Sequence, residues 1–323
     1  MTDINDVAKL AGVSRGSVSN YLNGAKMRPT TRAKIGSAIE QLHYLPNGTA
    51  QALKRRQTNY IVLILPKITT PFFAKLTEQI QLEAKKRQLK LILCISGSQA
   101  KNELEYLQMA QVQKVAGIIT MSYSDITPWL NVKIPLITLE HRLTEEVPLI
   151  SADNYAGGKL SANKLIATGC QKLAFVGYQP LENSAFQRYQ GFLDQCLQQN
   201  IICEKILLPT QTNTSFLDKW LKLNFDSTNS KYDGIFAVSD ALALQIWLGL
   251  QQRQVMVPQN VQLIGFDGVP AYSNAQLHLS SIKQPVERMA QAAVVALVSL
   301  INGQTPPSPQ ILPVNFHPGL TTK

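Results

Sequence analysis

The sequence predicts an α/β protein with an all-helical amino-terminal end: a three-helix helix-turn-helix domain, then a two-lobed core built on parallel sheets. Three observations predict it. Apolar residues recur at helical spacing up to Leu42. From Tyr60 the period changes to short continuous apolar runs alternating with amphipathic helices, and that alternation restarts at Lys172. Finally, the net charge of +10 is uneven: nine Lys or Arg against Asp3, Asp6 and Glu40 put +6 in the first 58 residues and +4 in the rest.

The amino-terminal elements follow from spacing. Ile4, Val7, Ala8 and Ala11 fall at i, i+3, i+4 and i+7, one apolar stripe on a short helix. Gly12 ends it in the left-handed conformation, and Val13 plugs the angle to the next helix. Ser14 is placed as an N-cap for a second helix from Arg15 to Leu22, with Val18, Tyr21 and Leu22 inward. Two helices at a tight glycine turn form a helix-turn-helix, whose second helix lies in the major groove of DNA. Arg15, Ser17 and Asn20 point away from the stripe and are the candidates for reading base edges, since Arg pairs with guanine and Asn with adenine through paired hydrogen bonds. Ser14, Ser19, Asn23, Thr31 and Tyr44 read as phosphate contacts that fix register, or, for the Ser and Thr residues, as simple caps.

A third helix is expected from Thr30 to Leu42, with Ile35, Ala38, Ile39 and Leu42 inward. Leu45 to Gly48 break it, and Thr49 to Arg56 begins a short segment of about eight residues, too few for a stable isolated helix. It folds with support or remains a flexible basic linker; Lys54, Arg55 and Arg56 suit phosphates either way.

The core reads as strand, helix, strand. The apolar runs are IVLILP, LKLILCIS, VAGIITMS, IPLITLE and LISAD, then KLAFVGY, KILLP, GIFAVSD and VQLIGFDG, with amphipathic stretches between most of them. Continuous apolar strands separated by helices mean parallel sheets covered on both faces, and two series mean two lobes. Ligands of such sheets bind beyond the carboxyl ends of strands, which nominates Thr70, Phe72 and Phe73, Thr120 to Tyr123, Asp153 with Asn154, Asp240 and Asp267. Carboxylates there clamp hydroxyls, and Phe72 or Trp220 would stack on a ring. The plainer reading makes Asp240 a helix cap and Phe72 core.

Composition excludes several classes. No apolar run reaches the ~18 to 20 residues that span a membrane, and the acidic start does not fit a secretory signal, so the expected compartment is the cytoplasm. Cys94, Cys170, Cys196 and Cys203 have no metal-type spacing, the four histidines show no HExxH pattern, and neither GxSxG nor a phosphate-cradling glycine loop occurs. No enzyme, metal or cofactor is expected.

The run DVAKLAGVSRGSVSNYLNG followed by PTTRAKIGSAIEQLHYLPN resembles the amino-terminal signature of the lactose repressor/galactose repressor family of bacterial transcription regulators, with Asp6, Val7, Ala8, Ala11, Gly12, Val13, Ser14, Val18, Ser19 and Asn23 in place and Tyr44, Pro46 and Asn47 at its spacing. The resemblance implies a DNA-binding domain over about 1–46, a hinge helix over about 47–58 and a periplasmic-binding-protein type I core over about 59–323. Lobe one then takes about 59–156 and 285–313, and lobe two about 157–284 and 314–323. It also implies that Leu53 wedges between base pairs in the minor groove, that Ala50 lets paired hinge helices approach beside Arg55, and that Arg188 contacts the effector. The chain departs from the family at Arg28, where a Ser is usual, and at Glu140 and His141, where an Asp-Arg pair is common.

The function so implied is a homodimeric repressor of carbohydrate genes on a pseudo-palindromic double-stranded operator, governed by a sugar or sugar-phosphate effector between the lobes. Without a leucine heptad tail a dimer is expected rather than a tetramer. Rival readings are the same fold under a protein co-regulator such as a phosphocarrier, a nucleobase effector, an activator, or a plain sugar-transport component, which would need an export signal.

Overall fold

The computed structural model describes residues 2–22, 25–44, 58–122, 126, 134–181, 183–209, 214–227, 229–271, 276–305 and 309–323. The chain divides into two compact units, Met1–Thr58 and Asn59–Lys323.

The first unit holds α1 (Ile4–Ala11), α2 (Arg15–Leu22) and α3 (Pro29–Gln41). Asp3 caps α1, its carboxylate accepting from the N–H groups of Asn5 at 2.7 Å and Asp6 at 3.0 Å while Asp6 accepts from the Asp3 N–H at 2.8 Å. This capping box satisfies helix-end donors that would otherwise rely on water. The two acidic residues that offset the basic charge of this end thus also close the start of its first helix. Gly12 closes α1 with φ 63°, in the left-handed region, and the Val13 N–H reaches back to the Ala8 carbonyl at 3.0 Å. Arg28 precedes α3 with no side-chain cap, and Pro29 starts the helix instead, a position where its missing N–H costs nothing. Val7, Ala8, Ala11, Val18, Ile35, Ala38 and Tyr44 form the shared core.

The second unit contains two six-stranded sheets. The first runs β11 (Gln310–Leu312), β5 (Leu149–Ala152), β4 (Leu136–Leu139), β3 (Gly117–Thr120), β1 (Tyr60–Leu65), β2 (Lys90–Ile95), all parallel. The second runs β12 (Asn315–His317), β10 (Ser281–Lys283), β9 (Gln262–Asp267), β8 (Gly234–Ala237), β6 (Lys172–Tyr178), β7 (Ile202–Leu208). It is parallel except at the β10–β12 edge. The short strands β10, β11 and β12 were not foreseen: three-residue strands carry too little period to read.

Helices cover both faces. On β1, Ile61, Leu63 and Leu65 enter one core, and Val62 and Ile64 enter the cluster on the opposite face, as the two-residue period of a strand dictates. α4 (Pro71–Lys86) and α10 (Val286–Ile301) belong to the first of these cores and α5 (Ala100–Val112) to the second. The second sheet packs with α6 (Asn154–Ala167), α7 (Asn183–Gln198), α8 (Thr214–Asn224) and α9 (Asp240–Gln252) around Phe175, Phe192, Phe236 and Phe266. The chain passes between lobes three times: from β5 into α6, from β10 into α10, and from β11 to β12.

Candidate DNA-binding and effector sites

In the helical unit, Arg15, Gly16 and Asn20 are exposed on α2, with Ser17 and Ser19 half-buried. The Ser14 hydroxyl accepts the Ser17 N–H at 3.1 Å and lies 3.0 Å from the Ser17 hydroxyl, so Ser14 is the N-cap of α2 and Ser17 is engaged with it. Thr31 is half-buried in the first turn of α3. Tyr44, expected at a phosphate, is packed into the core at 9% exposure, because the turn after α3 folds it back onto Val7 and Ile35. Asn23 and the segment with Ala50, Leu53 and Arg55 lie outside the described residues.

In the two-lobed unit the strand ends converge on Arg188. This residue is buried at 8% exposure on α7. Its Nε donates to Asn154 Oδ1 at 2.8 Å and its Nη1 to the Val238 carbonyl at 2.7 Å, while Nη2 stands 3.8 Å from Glu140 Oε2. The flat guanidinium lies 3.6 Å from the centre of the Phe266 ring. Glu140, just beyond β4, accepts from the Ala152 N–H at 2.7 Å and from Asn154 Nδ2 at 2.8 Å. A chain of hydrogen bonds therefore runs from the first lobe through the first crossover to the second lobe.

Two glycines set that geometry. A Cβ on Gly158 of α6 would sit 2.0 Å from the Arg188 carbonyl oxygen, and one on Gly191 of α7 would sit 2.0 Å from the Tyr155 carbonyl oxygen. Only bare backbones can come this close, and the approach is what sets Arg188 against Asn154.

Asp240 and Asp267 close the second lobe's side. Asp240 accepts from the Gly268 N–H at 2.7 Å and from the Ser281 hydroxyl at 2.6 Å; Asp267 accepts from Gln284 Nε2 at 2.8 Å. Burial pushes the Asp267 carboxyl up to about 6 against the pull of Arg188. Burial, reinforced by the neighbouring Asp267, holds Asp240 well above the ordinary aspartate range. Glu140 and Asp267 have φ of 62° and 124°, conformations unusual for side chains with a Cβ and held here by the hydrogen bonds of their carboxylates.

Four expectations need correcting. Asp240 does not cap α9: Ser239 does, accepting the Leu242 N–H, which releases Asp240 to bridge Gly268 and Ser281. Asp153, by contrast, is a cap, accepting the Ala156 N–H at 2.9 Å. Phe72 and Phe73 form an edge-on pair inside the first lobe's core, each almost fully enclosed, because α4 turns them toward the sheet. Trp220 packs with Phe225 and Tyr232 at the second lobe's core rather than on a ligand. Thr70 remains at the start of α4 with no side-chain cap bond, and the buried Thr120 hydroxyl has no hydrogen-bond partner among the described groups. Asn154 and Gln284 carry only a strand end and a crossover in the sequence, and Glu140 only a departure from a family pattern; their shared network is visible in the structure alone. The strand-end rule, applied to IPLITLE, would have nominated Glu140.

Residues 3–47 match the family described as bacterial regulatory proteins, lacI family, and residues 162–322 match a periplasmic binding protein-like domain. The sucrose operon repressor of Streptococcus mutans is 30% identical over 319 residues, covering 98% of each chain. The chain belongs to the lacI family. Members of this family regulate transcription and are not enzymes. The ribose operon repressor of Bacillus subtilis is 31% identical over 328 residues, spanning 100% of this chain and 99% of that one. Among solved structures, a periplasmic binding protein/LacI transcriptional regulator from Alkaliphilus metalliredigens complexed with D-xylulofuranose aligns with a TM-score of 0.73 at 30% identity, covering 82% of this chain and 100% of that one. The lac repressor dimer bound to operator and an anti-inducer shares the lacI fold at a TM-score of 0.86 and 22% identity, over 99% of both chains. Among the described residues of this lacI-family chain, no helix is long and apolar enough to cross a membrane, and no cluster of three or more His, Cys, Asp or Glu could hold a metal ion.

Proposed function

We propose that this regulator is a cytoplasmic homodimeric repressor of sugar-utilisation genes, whose affinity for a pseudo-palindromic operator is set by a small sugar bound between the core lobes. The observation that carries the reading is the linked set Glu140, Asn154, Arg188 and Asp267. It joins a guanidinium and carboxylates where two lobes meet, the chemistry that grips hydroxyls on a pyranose or furanose. The sucrose and ribose operon repressors among its relatives, and the sugar-bound Alkaliphilus structure, support the same effector class.

Arg15, Ser17 and Asn20 read bases, while Ser14, Ser19, Asn23 and Thr31 hold the backbone; the 49–56 segment pairs with its dimer mate, Leu53 entering the minor groove beside Ala50 and Arg55. The core is divided between lobes near 156, 285 and 313, and a ligand that prefers one lobe arrangement shifts operator affinity by that difference in binding energy.

The test is a thermal-shift screen of the purified chain against ribose, xylulose, sucrose, cellobiose, their phosphates and nucleobases. A ligand at about 100 times its Kd stabilises by ~2.7 kcal/mol. A sugar response that Arg188→Ala abolishes, with a matching change in operator affinity, supports the proposal. A response confined to nucleobases, or none to any sugar, sinks the effector assignment. Leu53→Ala separately weakens specific operator binding while sparing salt-dependent nonspecific binding; equal loss of both refutes the wedge.

A further inference from the structure

We infer that Glu103 is a positioning residue for effector recognition: from the helical face of the first lobe it fixes the end of β3, and with it the chain that lies beside Glu140. The inference rests on the effector reading above.

Glu103 lies in the first turn of α5 with none of its surface exposed, and Ser96 and Ser122 are buried with it. Its Oε1 accepts the Ser96 hydroxyl at 3.2 Å, and its Oε2 accepts the Ser122 hydroxyl. Ser96 follows β2 and Ser122 stands two residues beyond β3, so one carboxylate joins two strand ends that are not neighbours in the sheet. The strand between them, β1, is tied in by backbone: the Ser96 N–H donates to the Leu65 carbonyl at 2.8 Å and the Met121 N–H to the Ile64 carbonyl at 3.0 Å.

The surrounding residues of α5 hold this carboxylate in place. Asn102 Nδ2 donates to the Ser96 carbonyl at 2.9 Å and the Tyr106 hydroxyl to the Ile95 carbonyl at 3.1 Å, which fastens the helix to the end of β2. Leu107 and Ala110 seat the following turns on the sheet. The negative charge sits in the first turn, where the peptide dipoles favour it, and this offsets part of the cost of burying it. A carboxylate only accepts, so both serine hydroxyls must donate to it and their rotations are fixed. Charge-assisted bonds of this kind, shielded from water, are the strong ones.

The chain so fixed borders the effector network. β3 pairs with β4, Thr120 opposite Thr138. Ser122 and Glu140 each stand two residues further along these neighbouring strands, at the carboxyl end of the sheet, where ligands of parallel sheets bind. Glu140 in turn accepts from Asn154 and faces Arg188. Being fully buried, Glu103 acts on the effector through Ser122.

The experiment uses the full chain and two readouts. The first is calorimetric titration with D-ribose and D-xylulose. Glu103→Leu keeps most of the side chain's bulk and removes both acceptors, so the Kd of whichever sugar binds should rise at least about tenfold. Glu103→Gln should stay within about threefold, because its carbonyl accepts from one serine while its amide donates to the oxygen of the other. Leu107→Ala loosens the same helix without touching these bonds and should also stay within about threefold, which separates positioning from packing. An unchanged Kd in Glu103→Leu, or an equal rise in Leu107→Ala, overturns the inference. The second readout is amide hydrogen exchange. Met121 and Ser122 should exchange at least about tenfold faster in Glu103→Leu, with Ile118 on the same strand unchanged; unaltered exchange at both overturns the inference. Should Glu103→Leu fail to fold, Ser122→Ala breaks the link at its other end and must speed exchange at Met121, or the inference falls. If the wild type takes neither sugar, the effector reading fails for them, and exchange then decides whether Glu103 holds the end of β3.

Discussion

Replacing Gly158 by alanine places a methyl carbon 2.0 Å from the Arg188 carbonyl oxygen and 2.8 Å from the Phe192 amide nitrogen. Both are backbone atoms of α7, so no side chain can rotate out of the way. Relief requires the two helices to part by about 1 Å, in a core packed as densely as an organic crystal. Over-packing of this kind costs about 1–3 kcal/mol, and the depth of this overlap puts the change at or above the upper end. At roughly 2–4 °C per kcal/mol for a domain of this size, the melting temperature should fall by about 6–12 °C. Gly16→Ala is the control, because its new methyl meets only the Ser14 hydroxyl oxygen at 3.6 Å, an ordinary contact on an exposed helix, and alanine favours the helix by about 1 kcal/mol. Thermal unfolding followed by circular dichroism reads both. The helix crossing also orients Arg188, so Gly158→Ala should weaken effector binding as well as stability. A Gly158→Ala protein melting within about 2 °C of wild type would refute the reasoning.

Arg188→Met leaves Asn154 Oδ1 and the Val238 carbonyl without their donors and Glu140 without its cation, which should cost about 2–4 kcal/mol by chemical denaturation; a loss below about 1 kcal/mol would mean that water replaces the guanidinium freely. The Asp267 carboxyl, pushed up to about 6, takes up a proton on folding, so its contribution to stability falls as pH rises from about 4 toward 6 and is constant above. An effector that needs the ionised carboxylate then binds about tenfold more weakly at pH 5 than at pH 7, and Asp267→Asn removes that dependence; a flat wild-type profile counts against it. Ser14→Ala removes the cap of α2 and should destabilise the helical unit by about 1 kcal/mol, visible as faster amide exchange at Ser17 and Val18. Unaltered exchange would return Ser14 to a role on phosphate alone.

The elements legible in the sequence are those with a long, regular period. The stripe Ile4, Val7, Ala8, Ala11 with Gly12 gave α1 and its end, and the runs IVLILP and VQLIGFDG gave the central strands of both sheets, because burial on two faces leaves no polar interruption. β10, β11 and β12 were too short to show a period, yet they close the sheets where the chain changes lobes. Within the site, Arg188, Asp240 and Asp267 were legible from a strand-end rule and a family pattern, and the structure brings them together. What no one-dimensional pattern showed is the division of labour between neighbours. Ser239 rather than Asp240 caps α9, and Asp153 caps while Asn154 meets Arg188. Such choices turn on backbone dihedrals of single residues, as at Glu140 and Asp267, and these are fixed by tertiary contacts far away in sequence.

The three passages between lobes also impose an order of assembly. The second lobe's β6, β7, β8 and β9 lie on one uninterrupted stretch, so a nascent chain can pair them as soon as Asp267 has emerged. The first lobe cannot finish so early. Its β1 to β5 are made first, but one face of that sheet waits for Met289, Ala293, Val294 and Leu297 of α10, and its edge waits for β11. For the time the ribosome takes to add some 150 residues, at about 5–20 residues per second, Leu63, Ile137 and Ile150 lack their final cover. During synthesis, the earliest-made sheet therefore waits longest with one face bare, although β12 completes the edge of the second sheet still later, and it is on that bare face that a chaperone would be needed most.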